Sequence, residues 1–110
     1  MFHYTPTSIN FGEVAHGVQV GPQYVTVTNF GGGTLTLSPS AITIINDTGH
    51  NFSFVFENEV ELPAGISVNI PVYVTTHSEG PVSAILRINY AGTDYDVALS
   101  ATGLPAGIVV

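Results

Sequence analysis

The chain has 110 residues, enough for one domain, and it contains no cysteine, so no disulfide framework is present. Only 8% of the residues are charged, against roughly 25% in an average domain, and eight acids outweigh the single base Arg87 to give a formal charge of -7. This balance argues against DNA, RNA and anionic membrane surfaces as partners, because phosphate groups are bound by several lysines or arginines.

The N-terminal residues Met1-Phe2-His3-Tyr4 have a strand-like pattern instead of a basic region followed by an apolar one. A secretory signal peptide is therefore not expected. No apolar stretch approaches the ~20 residues that a membrane-spanning helix needs. We expect a protein that acts where it is made, or a piece cut from a longer secreted chain.

Strand patterns then continue along the whole chain, and no window shows helical periodicity. Residues with β-branched or aromatic side chains alternate with small polar ones, and turn residues recur about every ten positions. Pro71 cannot donate a hydrogen bond to a sheet, so its strand should lie at an edge or bulge there. In chain order, the predicted strands lie at 8–11, 23–30, around Leu35 and Leu37, and at 42–45, 52–56, 68–74, 82–90 and 95–101.

Short strands joined by short turns favour two antiparallel sheets packed face to face, since parallel neighbours need long crossovers. The sequence therefore predicts an all-β fold, an immunoglobulin-like antiparallel β-sandwich of seven to eight strands. We expect this sandwich to span residues 1–103, with an apolar C-terminal tail at 104–110. The predicted core includes Phe11, Phe52, Phe54, Val72, Leu86 and Leu99.

Four motifs occur in a fixed order along the chain. They are Pro6 with 9–14 and Gly17, the strand that ends in Asn29-Phe30-Gly31, the predicted turn Leu62-Pro63-Ala64-Gly65, and Leu99-Ser100-Ala101-Thr102-Gly103. In this order they resemble the ASH family of immunoglobulin-like domains, which are related to the major sperm protein and to bacterial HYDIN-like repeats. Two positions depart from the family pattern: Thr75-Thr76-His77 replaces a usual proline, and Ala101 replaces a usual glycine. The resemblance implies a non-enzymatic module for protein contacts, without catalytic residues.

The residues themselves also point away from catalysis. Nucleophilic catalysis needs a serine or cysteine beside a histidine, and the sequence has neither a cysteine nor a Gly-x-Ser-x-Gly elbow. The Gly31-Gly32-Gly33 run is followed by no lysine and no helix, so it is interpreted as a turn and not as a phosphate-binding loop. We expect no catalytic residue and no cofactor.

Candidate metal ligands are scattered. The four histidines lie far apart in the sequence, and no two have the spacing of metal ligands, which favours solvated side chains over a metal site. The four histidines are His3, His16, His50 and His77. Two groups of acidic residues leave calcium binding open as an alternative to solvated strand ends. They are Glu57, Glu59 and Glu61 in one group and Asp94 and Asp96 in the other. Arg87 is expected to pair with a nearby acid. We expect no metal site.

The two ends of the chain are the predicted contact residues, because exposed apolar side chains usually mark a binding surface. They are Phe2 and Tyr4 at one end and Leu104, Ile108, Val109 and Val110 at the other. The alternative for the tail is that it folds back over its own sheet.

These observations favour a structural protein that binds other protein subunits, such as a major capsid protein or copies of itself, within an oligomer or larger assembly. A phage capsid decoration protein located in the virion fits them best. The alternative is a repeat-type immunoglobulin-like domain of a bacterial surface, adhesion or cytoskeletal protein. A carbohydrate-binding or enzymatic accessory domain is disfavoured, because the sequence has no tryptophan and no catalytic cluster.

Overall fold

The computed structural model describes residues 2–106, which form two four-stranded sheets and one two-stranded sheet. The first sheet has the order β1-β3-β8-β6, the second β2-β10-β9-β5, and β4 pairs with β7. This confirms the predicted all-β sandwich. The strands are β1 (Phe2–Thr5), β2 (Ser8–Val14), β3 (Val20–Asn29), β4 (Thr34–Leu37), β5 (Ile42–Ile45), β6 (Phe52–Phe54), β7 (Val60–Pro63), β8 (Ser67–Val74), β9 (Gly80–Tyr90) and β10 (Thr93–Gly103), with a 3-10 turn at Pro39–Ala41.

The core lies between the two large sheets and follows the alternation of the strands. Val72, Leu86 and Leu99 are buried as predicted, each at 1% exposure or less. Burial of such a side chain contributes about 1.5–3 kcal/mol. Phe52 is also buried, whereas Phe11 and Phe54 are only half-buried at the rim of the core. The aromatic rings therefore close the sides of the core, and aliphatic side chains fill its centre.

Two features of the topology differ from the prediction. β2 pairs with β10 in parallel, from Ser8 opposite Ala98 to Val14 opposite Gly103. Short turns exclude parallel pairing only between strands that follow one another in the sequence. β2 and β10 are far apart in the sequence, so the chain between them supplies the long connection that parallel strands need. Residues 2–106 form ten strands where seven to eight were predicted, because the strand-like N-terminal segment forms β1 and β7 is an additional strand. Leu62 and Pro63 belong to β7, so the turn itself is Ala64 and Gly65.

Pro71 explains why β6 is shorter than predicted. β8 lies between β3 and β6 in the first sheet, but β6 pairs only with Val72 to Val74. From Pro71 back to Ser67 this side of β8 is a sheet edge, as predicted for Pro71. Its pairing with β6 ends at Val72, and the Val55 N–H beyond that point donates to the Pro71 carbonyl oxygen at 3.1 Å. Because Pro71 has no N–H to return the hydrogen bond, the ladder stops there, and Phe56 lies outside the strand.

β9 and β10 form an antiparallel hairpin, and at 11 residues each they are the longest strands of the sandwich. Tyr90 pairs with Thr93, and the two loop residues Ala91 and Gly92 have φ values of 52° and 80°, as a tight type I′ turn requires. The sandwich measures 52 × 23 × 21 Å. We call the end with this turn the hairpin end, and the end where β10 stops at Gly103 the tail end. Within residues 2–106, no helix has the length and apolarity to span a bilayer.

Candidate functional site

Four aromatic rings join the two sheets at the hairpin end. Phe2 stacks on Tyr95 with ring centroids 4.3 Å apart and on Tyr90 at 5.3 Å. Tyr4 packs edge-on against Tyr95, and its hydroxyl donates to the Asp96 carbonyl oxygen at 2.9 Å. All four rings are half-buried. Phe2 and Tyr4, two of the predicted contact residues, thus pack within their own chain, and their binding of a partner stays a prediction.

Exposed apolar side chains at this end come instead from residues that the sequence did not single out as contacts. Phe30 is 62% exposed and lies against the His3 ring at 4.8 Å between centroids. Ile66 is 50% exposed, and its carbonyl oxygen accepts a hydrogen bond from the Asn29 N–H at 3.1 Å. The hairpin end therefore presents Phe30 and Ile66 to solvent.

Asn29 holds this end together and gives a physical reason for the Asn-x-Gly motif. Its side-chain amide is buried and donates to the carbonyl oxygens of Gly33 at 3.1 Å and Leu62 at 2.9 Å. Its side-chain oxygen accepts from the Gly31 N–H at 3.0 Å, which is typical of an asparagine at a turn. One amide thus fixes the loop that carries Phe30 and ties it to β7.

The tail end presents a second apolar group. The Leu104 N–H donates to the Val14 carbonyl oxygen at 2.9 Å, and the Leu104 side chain is half-buried. Val18, in the loop between β2 and β3, is 51% exposed, and the Gly17 N–H next to it donates to the Thr76 carbonyl oxygen. Leu104 lies at the opposite end of the sandwich from Phe2 and Tyr4. The other predicted contact residues, Ile108, Val109 and Val110, lie outside the described residues.

Asp47 and Asn51 order the loops of the tail end. The Asp47 carboxylate accepts hydrogen bonds from the backbone N–H groups of Asn51 and Phe52 at 2.9 and 3.0 Å. The Asn51 carbonyl oxygen accepts from the Thr75 N–H at 2.8 Å, and its side-chain oxygen accepts from the His77 N–H at 3.3 Å. The loops before β6 and after β8 therefore form one hydrogen-bonded unit.

The only strong base forms the predicted ion pair. The Arg87 guanidinium contacts the two Asp96 carboxylate oxygens at 2.9 and 3.0 Å, and Asp94 lies 3.7 Å away. This two-point hydrogen bond holds the pKa of Asp96 below its usual value and raises that of Arg87. Asp94 also accepts a hydrogen bond from the Asn89 side chain at 2.7 Å. These carboxylates are thus bonded to protein donors, which favours a structural role over calcium binding.

The remaining candidate ligands do not come together. Glu57 and Glu59 lie between β6 and β7, whereas Glu61 lies in β7, so the three do not continue one strand. Among residues 2–106, no group of three or more histidine, cysteine, aspartate or glutamate side chains converges on one point. No pocket opens in that part of the chain either. The candidate site is therefore a set of surfaces and not a cleft.

The outer face of the first sheet is a further apolar surface that the sequence did not single out as a contact. Tyr24 is 50% exposed and Val55 47% exposed on this face. The sequence does indicate that Tyr24 faces outward, because the alternation of β3 places it on the side of Thr26 and Thr28, opposite the buried Val25. A large aromatic side chain among these outward-facing threonines could therefore have been used to predict an apolar surface on this face.

The fold is similar to the ASH/PapD-like domain of human CEP192 (PapD-like domain 7), with a TM-score of 0.71 over 96% of this chain and 86% of that one. The two are 10% identical in sequence, so the likeness is one of fold, and it confirms the predicted ASH-like immunoglobulin fold. The Vibrio cholerae VesB protease structure matches with a TM-score of 0.50 and 21% identity; the match covers 94% of this chain and 32% of the protease chain. No family model and no curated protein matches the sequence.

Proposed function

We propose that this chain is a non-enzymatic structural module that binds other protein subunits through its two ends, as a capsid decoration protein of a phage or virus-like particle. The observation that carries the proposal is the placement of exposed apolar side chains at opposite ends of a sandwich 52 Å long. Phe30 and Ile66 lie at the hairpin end, and Val18 lies with Leu104 at the tail end. A rigid body with a contact at each end can connect two subunits of a shell.

The character of these ends suits protein contacts. Exposed apolar groups become buried when a protein partner covers them, and burial contributes about 25 cal/mol per Å². The formal charge of -7 disfavours nucleic acid and anionic lipid, which would be repelled. The resemblance to ASH domains implies the same kind of module and supports the assignment.

The tail is proposed to bind in trans at the tail end. The hydrogen bond between Leu104 and Val14 fixes where the chain leaves the sandwich, next to the loop that carries Val18. The following segment supplies Ile108, Val109 and Val110. Together with Val18 they would make one apolar contact at that end.

Co-purification tests this function. The tagged chain is expressed in its native source, particles are separated on a density gradient, and the fractions are probed for the tag. We expect the chain in the particle fraction; a chain found only at the top of the gradient would contradict the virion role.

Removal of residues 105–110 tests the tail separately, because it keeps Gly103 and the Leu104 N–H in place. We expect this truncation to weaken particle binding. The control replaces Ile108, Val109 and Val110 by serine at unchanged length and should weaken binding equally. Unchanged binding of both variants would refute the contact through residues 105–110 and leave the hairpin end and the exposed Val18 as the remaining contacts.

A second candidate function is a repeat-type domain of a longer surface, adhesion or cytoskeletal protein. The observation that favours it is the likeness to a domain numbered seven within human CEP192. A search of the native source with an antibody against the chain distinguishes the two functions. A band far larger than 11.5 kDa, absent from particles, would support the repeat-type domain.

A further inference from the structure

The fold gathers three of the four histidines at the tail end, although they lie far apart in the sequence. His16 lies in the loop between β2 and β3, His50 in the loop between β5 and β6, and His77 in the loop after β8. All three are exposed, and we call them the histidine group. They do not converge on one point, so they form no metal site. His3 lies at the opposite end, against the Phe30 ring.

Hydrogen bonds join the three loops directly beside the histidines. The Gly17 N–H donates to the Thr76 carbonyl oxygen at 2.9 Å, which connects the neighbour of the first histidine to the neighbour of the third. The His77 N–H donates to the Asn51 side-chain oxygen at 3.3 Å, and Asn51 directly follows the second histidine. The histidine group therefore belongs to one hydrogen-bonded unit.

His16 lies within the proposed tail-end contact. The Val18 N–H donates to the Ala15 carbonyl oxygen at 3.2 Å, so His16 and the exposed Val18 belong to the same turn. The Leu104 N–H donates to the Val14 carbonyl oxygen, just before this turn. A partner that covers Val18 therefore covers His16 as well and removes water from its ring.

The charged groups at this end do not neutralise a protonated histidine. Glu13 on β2 and Glu79 in the loop after β8 are exposed, and the Asp47 carboxylate is bonded to two backbone N–H groups. Within residues 2–106, ion pairs are formed by Arg87 and by no histidine. A protonated imidazole under a partner would lose its water without gaining a counter-charge from its own chain, which is unfavourable.

We infer that the histidine group makes the tail-end contact sensitive to pH, so that the neutral histidines allow binding and their protonation releases the partner. The imidazole ring gains its proton between about pH 8 and pH 5. Because burial disfavours the charged form, protons bind more tightly to the free chain than to the complex, and a fall in pH favours the free chain. This regulation rests on the tail-end contact proposed above.

Particles that carry the tagged chain test the release. They are incubated at about pH 7.5 (neutral) and about pH 5.5 (acid) and pelleted, and the tag is measured in pellet and supernatant. Each histidine that must stay neutral in the complex should lower the ratio of bound to free chain about tenfold at acid pH. We therefore expect at least a tenfold release of the wild-type chain.

A triple variant removes the histidine group and should bind equally at the two pH values. It combines His16→Gln and His77→Gln with His50→Asn, since His50 has a φ of 53°, which asparagine adopts readily. The matched control is His3→Gln at the hairpin end. It should keep the wild-type pH dependence, because a protonated ring gains a cation–π contact with the adjacent Phe30.

Equal or stronger binding of the wild type at acid pH would overturn the inference and leave the proposed function standing. An unchanged pH dependence in the triple variant would also overturn it. Thermal melting at both pH values reports whether each chain is folded. If the triple variant does not fold, His16→Gln alone decides and should reduce the acid release about tenfold. Absence of particle binding at neutral pH would instead refute the proposed end contacts, and the pH sensitivity would fall with them.

Discussion

Gly103 and Ser78 approach so closely that a Cβ added to Gly103 would collide with the Ser78 carbonyl oxygen and lie 3.2 Å from the Thr76 Cβ. The last glycine of the chain's closing motif is therefore required by backbone packing at the tail end. We expect Gly103→Ala to lower the free energy of unfolding by about 2–3 kcal/mol, since it overpacks a buried site. Urea denaturation measures the change.

The control for this substitution is Gly32→Ala, which adds the same methyl group where nothing lies within 4 Å. It should change stability by no more than about 0.5 kcal/mol. Equal losses of stability in the two variants would show that packing against Ser78 is not the reason for a glycine at position 103.

Asn29 should be among the most sensitive polar residues. Asn29→Ala removes at least three side-chain hydrogen bonds, two of them to the carbonyl oxygens of Gly33 and Leu62. We expect the free energy of unfolding to fall by about 2–3 kcal/mol. Asn29→Asp should be comparably damaging, because a carboxylate cannot donate to those carbonyls. Asn10→Ala, which loses one exposed hydrogen bond to the Gly12 N–H, is the control and should cost less than about 1 kcal/mol.

Acid should weaken the fold partly through Asp96. The pKa of this carboxyl is lower in the folded chain than its usual value, because it accepts hydrogen bonds from Arg87. Its stabilising contribution is present above the unfolded pKa and is lost as the pH falls through the folded pKa. We expect the free energy of unfolding to fall between roughly pH 5 and pH 2, and to fall less in Asp96→Asn. Asp94→Asn removes the ionic contact with Arg87 at 3.7 Å and keeps a side-chain oxygen that can accept from Asn89, so it should behave like the wild type. An acid dependence of Asp96→Asn identical to that of the wild type would refute the role of Asp96.

The β9–β10 turn offers a stabilising change. Ala91 has a φ of 52°, in the left-handed region that asparagine adopts more easily than alanine. We expect Ala91→Asn to raise the free energy of unfolding by about 0.5–1 kcal/mol, because Asn-Gly is the preferred type I′ pair. Ala64→Asn in the β7–β8 turn, where φ is not positive, should have little effect. A melting temperature unchanged by Ala91→Asn would contradict this account of the turn.

Local patterns were enough to predict most strands, because alternation and turn residues act over a few positions. Val72, Leu86 and Leu99 were placed in the core for this reason. β7 was missed since Leu62-Pro63 has the composition of a turn, and its strand character comes from pairing with β4, far away in the sequence. The parallel pairing of Leu99 with Ile9 is equally non-local.

The candidate site was harder to predict than the fold. Leu104 was identified as a contact residue because it follows the last strand, and the structure places it at the tail end. Phe30 and Tyr24 were both placed in the predicted strand 23–30 without a contact role. The exposure of a side chain depends on neighbours from distant parts of the chain, which a local pattern does not report. Phe2 and Tyr4 pack against Tyr95 because the fold brings β1 next to the start of β10, and these strands are far apart in the sequence.

The central proposal is that apolar ends hold this chain against other proteins. Co-sedimentation of the natively expressed chain with the proposed particles in high salt tests it most directly. At about 1 M salt the screening length is ~3 Å, so ionic contacts weaken while apolar ones persist. We predict that the wild-type chain stays in the particle fraction and that Phe30→Glu together with Val18→Glu releases it. Release of the wild type by salt, or retention of the double variant, would contradict the claim.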